Sequence, residues 1–456
     1  MKLLNYSFFV TASDWSIARK FLFTEDGYEN AGVFLCGLVK TKKGGRLLAR
    51  EFVPVPVHLY QDRQPYHLQI APRFYNDLVT RCEKTALHPI IIHSHPMRGV
   101  AWYSRSDDFG ESKLLPILQS LLPDRIVASL VVTRNSATGR RFVDGKFVTL
   151  IGMRVLGSST TSMIFRAEPH KNDTVESRYE RQVRAFGAAH QRLLKSLRIG
   201  IVGLGGTGSI VAEQLARVGI GQIILVDNDV VEETNLSRVI GSTNRDIGKA
   251  KVAVLRKHLT QITSAKIEAI NDSALKQSVL VQLRDCDALF SCVDNDRSRA
   301  TLNRFAYQYF IPTIDMGVRL DARSGKVSAA AGRVSLIGPD MSCLRCSHHL
   351  NSERIRSESL PEAERKRLAK EGYVMGLEEA APAVVSLNTV VAGLAVTGFL
   401  NMILNLTGGA QPTSQIYDAT TGSVFPISQT HDDGCDVCAP TVGVKGLGDA
   451  QIVSAY

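Results

Sequence analysis

RIGIVGLGGTGSIVAEQLARVGIGQIILVDNDVVEETNLSRVIGSTNRDIGKAK, residues Arg198–Lys251, decides the fold. Arg198–Val202 is a short apolar run that ends in glycine, as a buried parallel strand does. Gly203, Gly205, Gly206 and Gly208 form a turn, and Ser209–Val218 follows with a helical pattern. Such a turn lets backbone N–H groups approach a phosphate at a helix N-terminus. A second apolar run, Gln222–Val226, ends at Asp227, where an acidic side chain can hold a ribose hydroxyl. Taken alone, Gly203, Gly205 and Gly208 make a GxGxxG pattern with many chance matches. Beyond it, Asp229, Asn235, Arg238, Lys249 and Lys251 bring polar groups back towards the phosphates. A hydride-transfer enzyme mainly holds its cofactor, whereas an enzyme that breaks a phosphate anhydride must neutralise developing charge.

GLGGTGS, DNDVVEETNLSR and GKAK resemble the GxGGxGS, DxDxVexsNLxR and GxxK elements of the MoeB/ThiF and ubiquitin-activating superfamily. The resemblance runs from about Arg178 to the C-terminus. It implies a Rossmann-like adenylation domain that uses ATP and magnesium. Gly203, Gly205, Gly206, Gly208, Asp227, Asp229 and Asn235 would bind the nucleotide, Arg238 and Lys251 its phosphates, and Asp294 in SCVDN the magnesium ion. Arg181, in RYERQ (178–182), would reach the ATP of a neighbouring protomer, which implies a homodimer. The plainer readings are a helix N-terminal acid for Asp294 and a surface ion pair for Arg238.

Around this stretch the chain alternates strand and helix patterns. Lys266–Asn271, Ala288–Val293 and Pro312–Val318 read as strands, and Leu275–Arg284 and Asp296–Tyr309 as helices. That alternation predicts an α/β, mostly parallel sheet with ligands beyond the strand C-termini. Residues 1 to about 150 read as a smaller α+β unit, with helices at Ser13–Leu22 and Phe109–Leu122 and strands at Gly32–Leu38, Leu47–Val55, Pro89–His93 and Arg125–Val132. The Ser/Thr-rich Gly157–His170 marks a boundary. The expected division is 1–160, a linker at 161–177, and 178–456.

With 456 residues, 44% hydrophobic and 21% charged, the chain has the composition of a soluble globular protein. The formal charge of +10 comes without a basic block of the kind nucleic-acid tails carry, so it favours acidic ligands such as ATP or an acidic protein tail rather than nucleic acid. MKLLNYSFFVTAS reads as a first strand rather than a signal peptide. The uncharged Ala380–Tyr417 is broken by Ser386, Asn388, Thr389, Thr397 and Asn401, and so reads as a buried helix rather than a membrane span.

Four of the eight cysteines form two CxxC pairs, Cys343/Cys346 and Cys435/Cys438. Two such pairs predict a closed, structural zinc site of four thiolates in a reducing, cytoplasmic compartment. A redox pair is the plainer alternative, and His348 and His349 have no necessary role beside four thiolates.

In the amino-terminal part, His93-Ser94-His95-Pro96 closes an apolar strand. Residues i and i+2 of a strand share a face, so both imidazoles can hold one metal, with Asp107 as a third ligand and a fourth position open for water. The segment resembles the JAMM motif of JAB/MPN metalloproteases, a glutamate followed by HxHP and SxxD. The resemblance implies His93, His95 and Asp107 as zinc ligands, Glu29 in ENAGVFLCG as acid/base, and Ser104 as oxyanion stabiliser. His95 and Ser104 are separated by eight residues where the motif has seven, which leaves Asp108 as an alternative ligand.

Both resemblances point to one partner: a ubiquitin-like, β-grasp protein ending in glycine. A prokaryotic bifunctional enzyme would activate its C-terminus with ATP and trim or release it with zinc, passing it to a conjugating enzyme or a sulfurtransferase. The alternatives are an NAD-binding oxidoreductase, or an adenylating enzyme with a non-catalytic JAB scaffold. Thioester-forming relatives carry a cysteine between the first CxxC and the long apolar helix. Ser347–Pro382 holds none, with Val374 near the usual position, which implies that the reaction stops at the acyl-adenylate.

Overall fold

The computed structural model describes residues 5–42, 44–164, 175–323, 326–370, 382–408, 411–428, 430–440 and 442–451. The chain divides into two compact units, Met1–His170 with Gln308–Phe310 and Val444–Ile452, and the remainder.

The first unit holds β1 (Asn5–Thr11), α1 (Ala12–Leu22), β2 (Ala31–Thr41), β3 (Gly44–Pro54), β4 (Tyr60–Gln64), β5 (His67–Ile70), α2 (Pro72–Thr85), β6 (His88–Ser94), α3 (Arg105–Leu121), β7 (Ala128–Val132), β8 (Ala137–Val143), β9 (Lys146–Thr149), β10 (Gly152–Leu156) and β11 (Thr161–Ile164). Nine strands form a mixed sheet in the order β11-β10-β1-β3-β2-β6-β7-β8-β9, and β4–β5 is a separate hairpin. Strand alternation sorts the core. Phe34 and Cys36 of β2 pack with Trp15 and Leu22 of α1, while Val33 and Leu35 pack with Phe74 of α2 and Leu115 of α3. The sheet is therefore buried on both faces near its centre, where β6 carries the histidines.

Two boundaries differ from the sequence reading. The expected linker opens as β11, which pairs antiparallel with β10; residues 165–174 lie outside the described residues. Val444–Ile452 groups with the first unit rather than with 178–456. Gly448 bridges Leu38 of β2, and the buried Lys445 Nζ lies 2.8 Å from Asp14. That pairing spans some four hundred positions of sequence, and no local pattern encodes it.

His88 gives this unit a pH dependence. Its ring is buried, and its Nδ1 accepts the Ile126 N–H at 2.8 Å. Burial lowers its pKa from 6.5 to about 4. Stability from this group is therefore present above the unfolded pKa and is lost as pH falls towards the folded one. Going from pH 7 to pH 5 should remove up to about 2 kcal/mol through His88. Urea midpoints at the two pH values check this, and His88→Asn should flatten the difference; an unchanged slope would remove His88 as its cause.

The second unit contains α4 (Glu180–Ser196), β12 (Arg198–Val202), α5 (Gly206–Val218), β13 (Gln222–Val226), α6 (Lys251–Leu259), β14 (Lys266–Ile270), α7 (Gln277–Leu283), β15 (Ala288–Ser291), α8 (Asp296–Tyr309, its last two residues grouping with the first unit), β16 (Thr313–Arg323), β17 (Lys326–Ile337), α9 (Ser352–Glu358), α10 (Glu362–Lys370), α11 (Val385–Leu404), β18 (Ser414–Asp418) and β19 (Ser423–Pro426). The sheet order is β14-β13-β12-β15-β16-β17-β18-β19. The first five strands are parallel, as expected, and β17, β18 and β19 add antiparallel at one edge, so the mostly parallel sheet is mixed. The strand order reverses at β12, with β13 on one side and β15 on the other, and this is where doubly wound sheets open a crevice.

α11 is long and apolar enough to cross a membrane, but half of it is buried in the fold. Val391, Ala395 and Phe399 enter the core of this unit, consistent with the buried-helix reading.

Candidate functional site

β12 delivers the chain to Gly203, whose φ of +87° suits glycine and whose absent Cβ would meet Cys292 O at 2.6 Å. Gly205 is the N-cap of α5 and supplies no side-chain cap, so the first N–H groups of the helix are left for a ligand. Gly208 has another purpose: a Cβ there would lie 1.8 Å from Gly203 O, so it lets the helix sit against the turn. Asp227 accepts Leu204 N–H at 2.6 Å and Asp229 N–H at 2.8 Å, which locks the loop after β13; burial raises its pKa.

These residues open onto a cavity of about 1310 Å³. Gly203, Gly205, Gly206, Asp227 and Asp229 line it, and so do Arg238, Lys251 and Asp294. Arg238 donates to Thr234 O at 2.9 Å and has no ion pair among the described residues. Lys251 Nζ is 2.8 Å from Asp229, and Asp294 is exposed at the end of the loop after β15. Four expected residues are not on the wall. Gly208 lies behind the turn, and Asn235 spends its side chain on Glu232 N–H at 3.3 Å, shaping the loop. Arg181 is exposed on α4 and does not line the cavity of its own chain. Lys249 pairs with Asp246 at 3.0 Å instead.

The wall also has residues the sequence reading missed. Arg299 donates to Val293 O at 2.9 Å and to Met316 O at 3.0 Å, tying the loop that carries Asp294 to β16. Behind the wall, the fully buried Asp315 accepts from Arg333, a wall residue, at 2.6 Å and from Ser291 at 2.8 Å. The available signal was a charge inside the apolar strand TIDMG (313–317). His348 and His349, given no role beside the thiolates, also reach the wall.

In the second constellation, four sulfurs converge. Cys343 Sγ lies 3.7 Å from Cys435 Sγ, and Cys346 Sγ 3.5 Å from Cys438 Sγ. Four ligands at about 2.3 Å from a tetrahedral zinc lie about 3.8 Å apart, so the group fits that ion. Backbone N–H groups of Cys346 and Val437 point at Cys343 and Cys435 sulfurs, both at 3.4 Å, as thiolates require. Cys435→Ser is expected to remove one zinc equivalent in metal analysis. Losing a closed metal site costs several kcal/mol, so Tm should fall by roughly 5–10 °C. Unchanged zinc content would remove the assignment.

The third constellation lies at the end of β6. His93 Nε2 is 3.2 Å from Asp107 Oδ1, and His95 Nε2 is 3.4 Å from Asp107 Oδ2 and 3.7 Å from Glu29 Oε1. Ser94 points the other way and accepts Asn30 N–H at 3.0 Å. Ser104 caps α3: its Oγ accepts Asp107 N–H at 3.1 Å, while Asp107 accepts Ser104 N–H at 2.6 Å. Asp108 is turned away to Arg140, 2.5 Å distant, and that guanidinium is clamped between the rings of Tyr103 and Phe147. Asp107, not Asp108, therefore meets the histidines.

The electrostatics suit a cation. Burial would raise the Asp107 carboxyl, but the neighbouring His93 and His95 imidazoles hold it well below the usual range. Burial raises Glu29, with the histidines opposing. His93 Nε2 is buried without a well-formed hydrogen bond, an atom a metal would satisfy. Two imidazoles and a carboxylate within 4.8 Å of one another fit a three-ligand zinc site with an open position.

Residues 179–437, more than half the chain, match the model of the ThiF family. The ubiquitin-like modifier-activating enzyme 5 of Drosophila erecta is 29% identical over 226 residues, covering 46% of this chain and 51% of that protein. The molybdopterin-synthase adenylyltransferase of Escherichia coli (strain K12) is 27% identical over 272 residues, 57% of this chain and 95% of that protein. The chain spans about half the length of the activating-enzyme relatives it matches. Among solved structures, MccB of E. coli with ATP is 21% identical, covers 59% of this chain and 76% of that chain, and has a TM-score of 0.46.

Proposed function

The chain belongs to the ThiF family, and we propose that its second unit adenylates the C-terminal glycine of a ubiquitin-like protein, while its first unit is a JAMM-type zinc peptidase for the same partner. The observation that carries the first half is the crevice at the β12 switch point, where the uncapped start of α5, Arg238 and the exposed Asp294 face one cavity. A carboxylate oxygen of the partner attacks the α-phosphorus of ATP, the bond to the β-phosphate breaks, and pyrophosphate leaves. The N–H groups of α5 and Arg238 hold phosphate oxygens as charge shifts among them. Lys251 joins them by giving up Asp229, a solvent-facing partner that is cheap to exchange. Magnesium, held by Asp294, supplies further charge compensation when bound. An NAD-dependent oxidoreductase has no comparable use for Arg238 and Asp294 together, which disfavours that alternative.

Arg181 is exposed and does not line its own cavity, which supports action on a partner protomer's ATP. The uncharged α11 leaves Thr389, Val390 and Thr397 exposed, a face suited to a homodimer.

For the first unit, zinc supplies an activated water when bound. His93, His95 and Asp107 hold the ion, Glu29 takes and returns the proton, and the Ser104 hydroxyl, whose proton is not committed to the cap, donates to the oxyanion. Convergence of all four acidic and imidazole groups favours catalysis over a scaffold.

The chemistry ends at the adenylate in this reading. Cys36, Cys82 and Cys286 are buried, and burial raises the Cys36 and Cys292 thiols well above their ordinary value and Cys82 to about 11. Val374 lies outside the described residues. Incubation with ATP and a ubiquitin-like partner is expected to give pyrophosphate exchange but no thiol-sensitive covalent band on a non-reducing gel. A band mapped to any of these four cysteines would overturn the acyl-adenylate end point. Absence of exchange with every β-grasp partner tried, peptide substrates included, would overturn the reading of the second unit.

A further inference from the structure

α11 carries no charged residue, yet its first turn buries an amide. Asn388 is 4% exposed. The carboxamide is not sealed in the core, however. It lines the cavity at the start of α5. Its Nδ2 stands 2.1 Å from where a Cβ on Gly206 would lie, and Arg238 Cδ is 3.3 Å from the same point. The uncapped N–H groups of α5, the Arg238 side chain and the Asn388 amide therefore line one cavity around Gly206.

We propose that Asn388 is a further phosphate-binding residue, its Nδ2–H donating to an oxygen of the phosphate chain held at Gly206 and Arg238; this rests on the reading of the cavity as the ATP site. A fixed neutral donor at that position needs no reorganisation as charge builds on the phosphate oxygens. It also gives Gly206 a reason to be glycine, since any Cβ there would push the amide out of the site.

The test is calorimetric titration of the full chain with MgATP and, separately, with adenosine, alongside melting curves without ligand. Asn388→Ala is expected to weaken MgATP binding roughly tenfold or more, the loss of a hydrogen bond to a charged group, and to leave adenosine binding unchanged. Asn388→Asp should weaken MgATP further, because a carboxylate would face the phosphates. It is isosteric, so it serves where the alanine variant does not fold. MgATP binding within twofold of the parent in Asn388→Ala, or in Asn388→Asp where that variant stands in for it, would overturn the proposal. So would equal losses for MgATP and adenosine, which mark a structural role. A parent chain that binds no MgATP would instead overturn the ATP reading itself, and this proposal with it.

Discussion

Asp294→Ala is expected to lower partner-dependent ATP–pyrophosphate exchange by about a hundred- to a thousandfold, the range seen when one group that compensates transition-state charge is removed. The carboxylate is exposed at the cavity mouth, so the fold should tolerate its loss within about 0.5 kcal/mol. Arg181→Ala should be similarly inactive although it touches nothing in its own cavity. Mixing the two variants then separates action within a chain from action between chains. In a mixed dimer, the protomer with intact Asp294 faces the protomer with intact Arg181, so one of its two sites is complete. Random mixing should restore about a quarter of the parent activity, by counting sites in a twofold dimer. No recovery on mixing would place Arg181 outside the neighbour's site, and full exchange in Asp294→Ala would sink the magnesium assignment.

Glu29→Ala is expected to abolish cleavage of a partner fused through its C-terminus, by about a hundred- to ten-thousandfold, while the zinc stays bound. The side chain is buried, 3.7 Å from His95, and stands outside the group of His93, His95 and Asp107, whose ligand atoms all lie within 4.8 Å of one another. Asp107→Ala should lose the ion from this site, and Asp108→Ala should keep it, because Asp108 is engaged by Arg140. Zinc analysis of the three variants decides. Loss of zinc in Glu29→Ala would make Glu29 a ligand, and loss in Asp108→Ala would reverse the choice of aspartate.

Much of this was legible before any coordinates. The glycines after an apolar run announce a turn, and Gly203 makes it at positive φ, although the helix begins at Gly206 rather than at the expected Ser209. His93 and His95 share a face because strand side chains alternate. The two CxxC pairs each chelate locally, so only their meeting was left to the fold. What could not be read was whatever depends on partners distant in sequence. The strand order around β12, and the antiparallel strands that make its sheet mixed, follow from how the elements pack. Asp107 faces the histidines because Arg140, clamped by two aromatic rings, takes Asp108. Asn388 looked like a polar interruption of an apolar helix until α11 placed it over Gly206, some 180 positions earlier. Residues 444–452 joined the first unit through backbone contacts at Leu38 that no side-chain pattern announces. The sequence by itself determined the local geometry and the chemistry available, because glycine conformations and side-chain periodicity are short-range. Only the tertiary structure decided which of those groups face the same cavity, because that is set by packing between segments whose order in the chain carries no record of their contact.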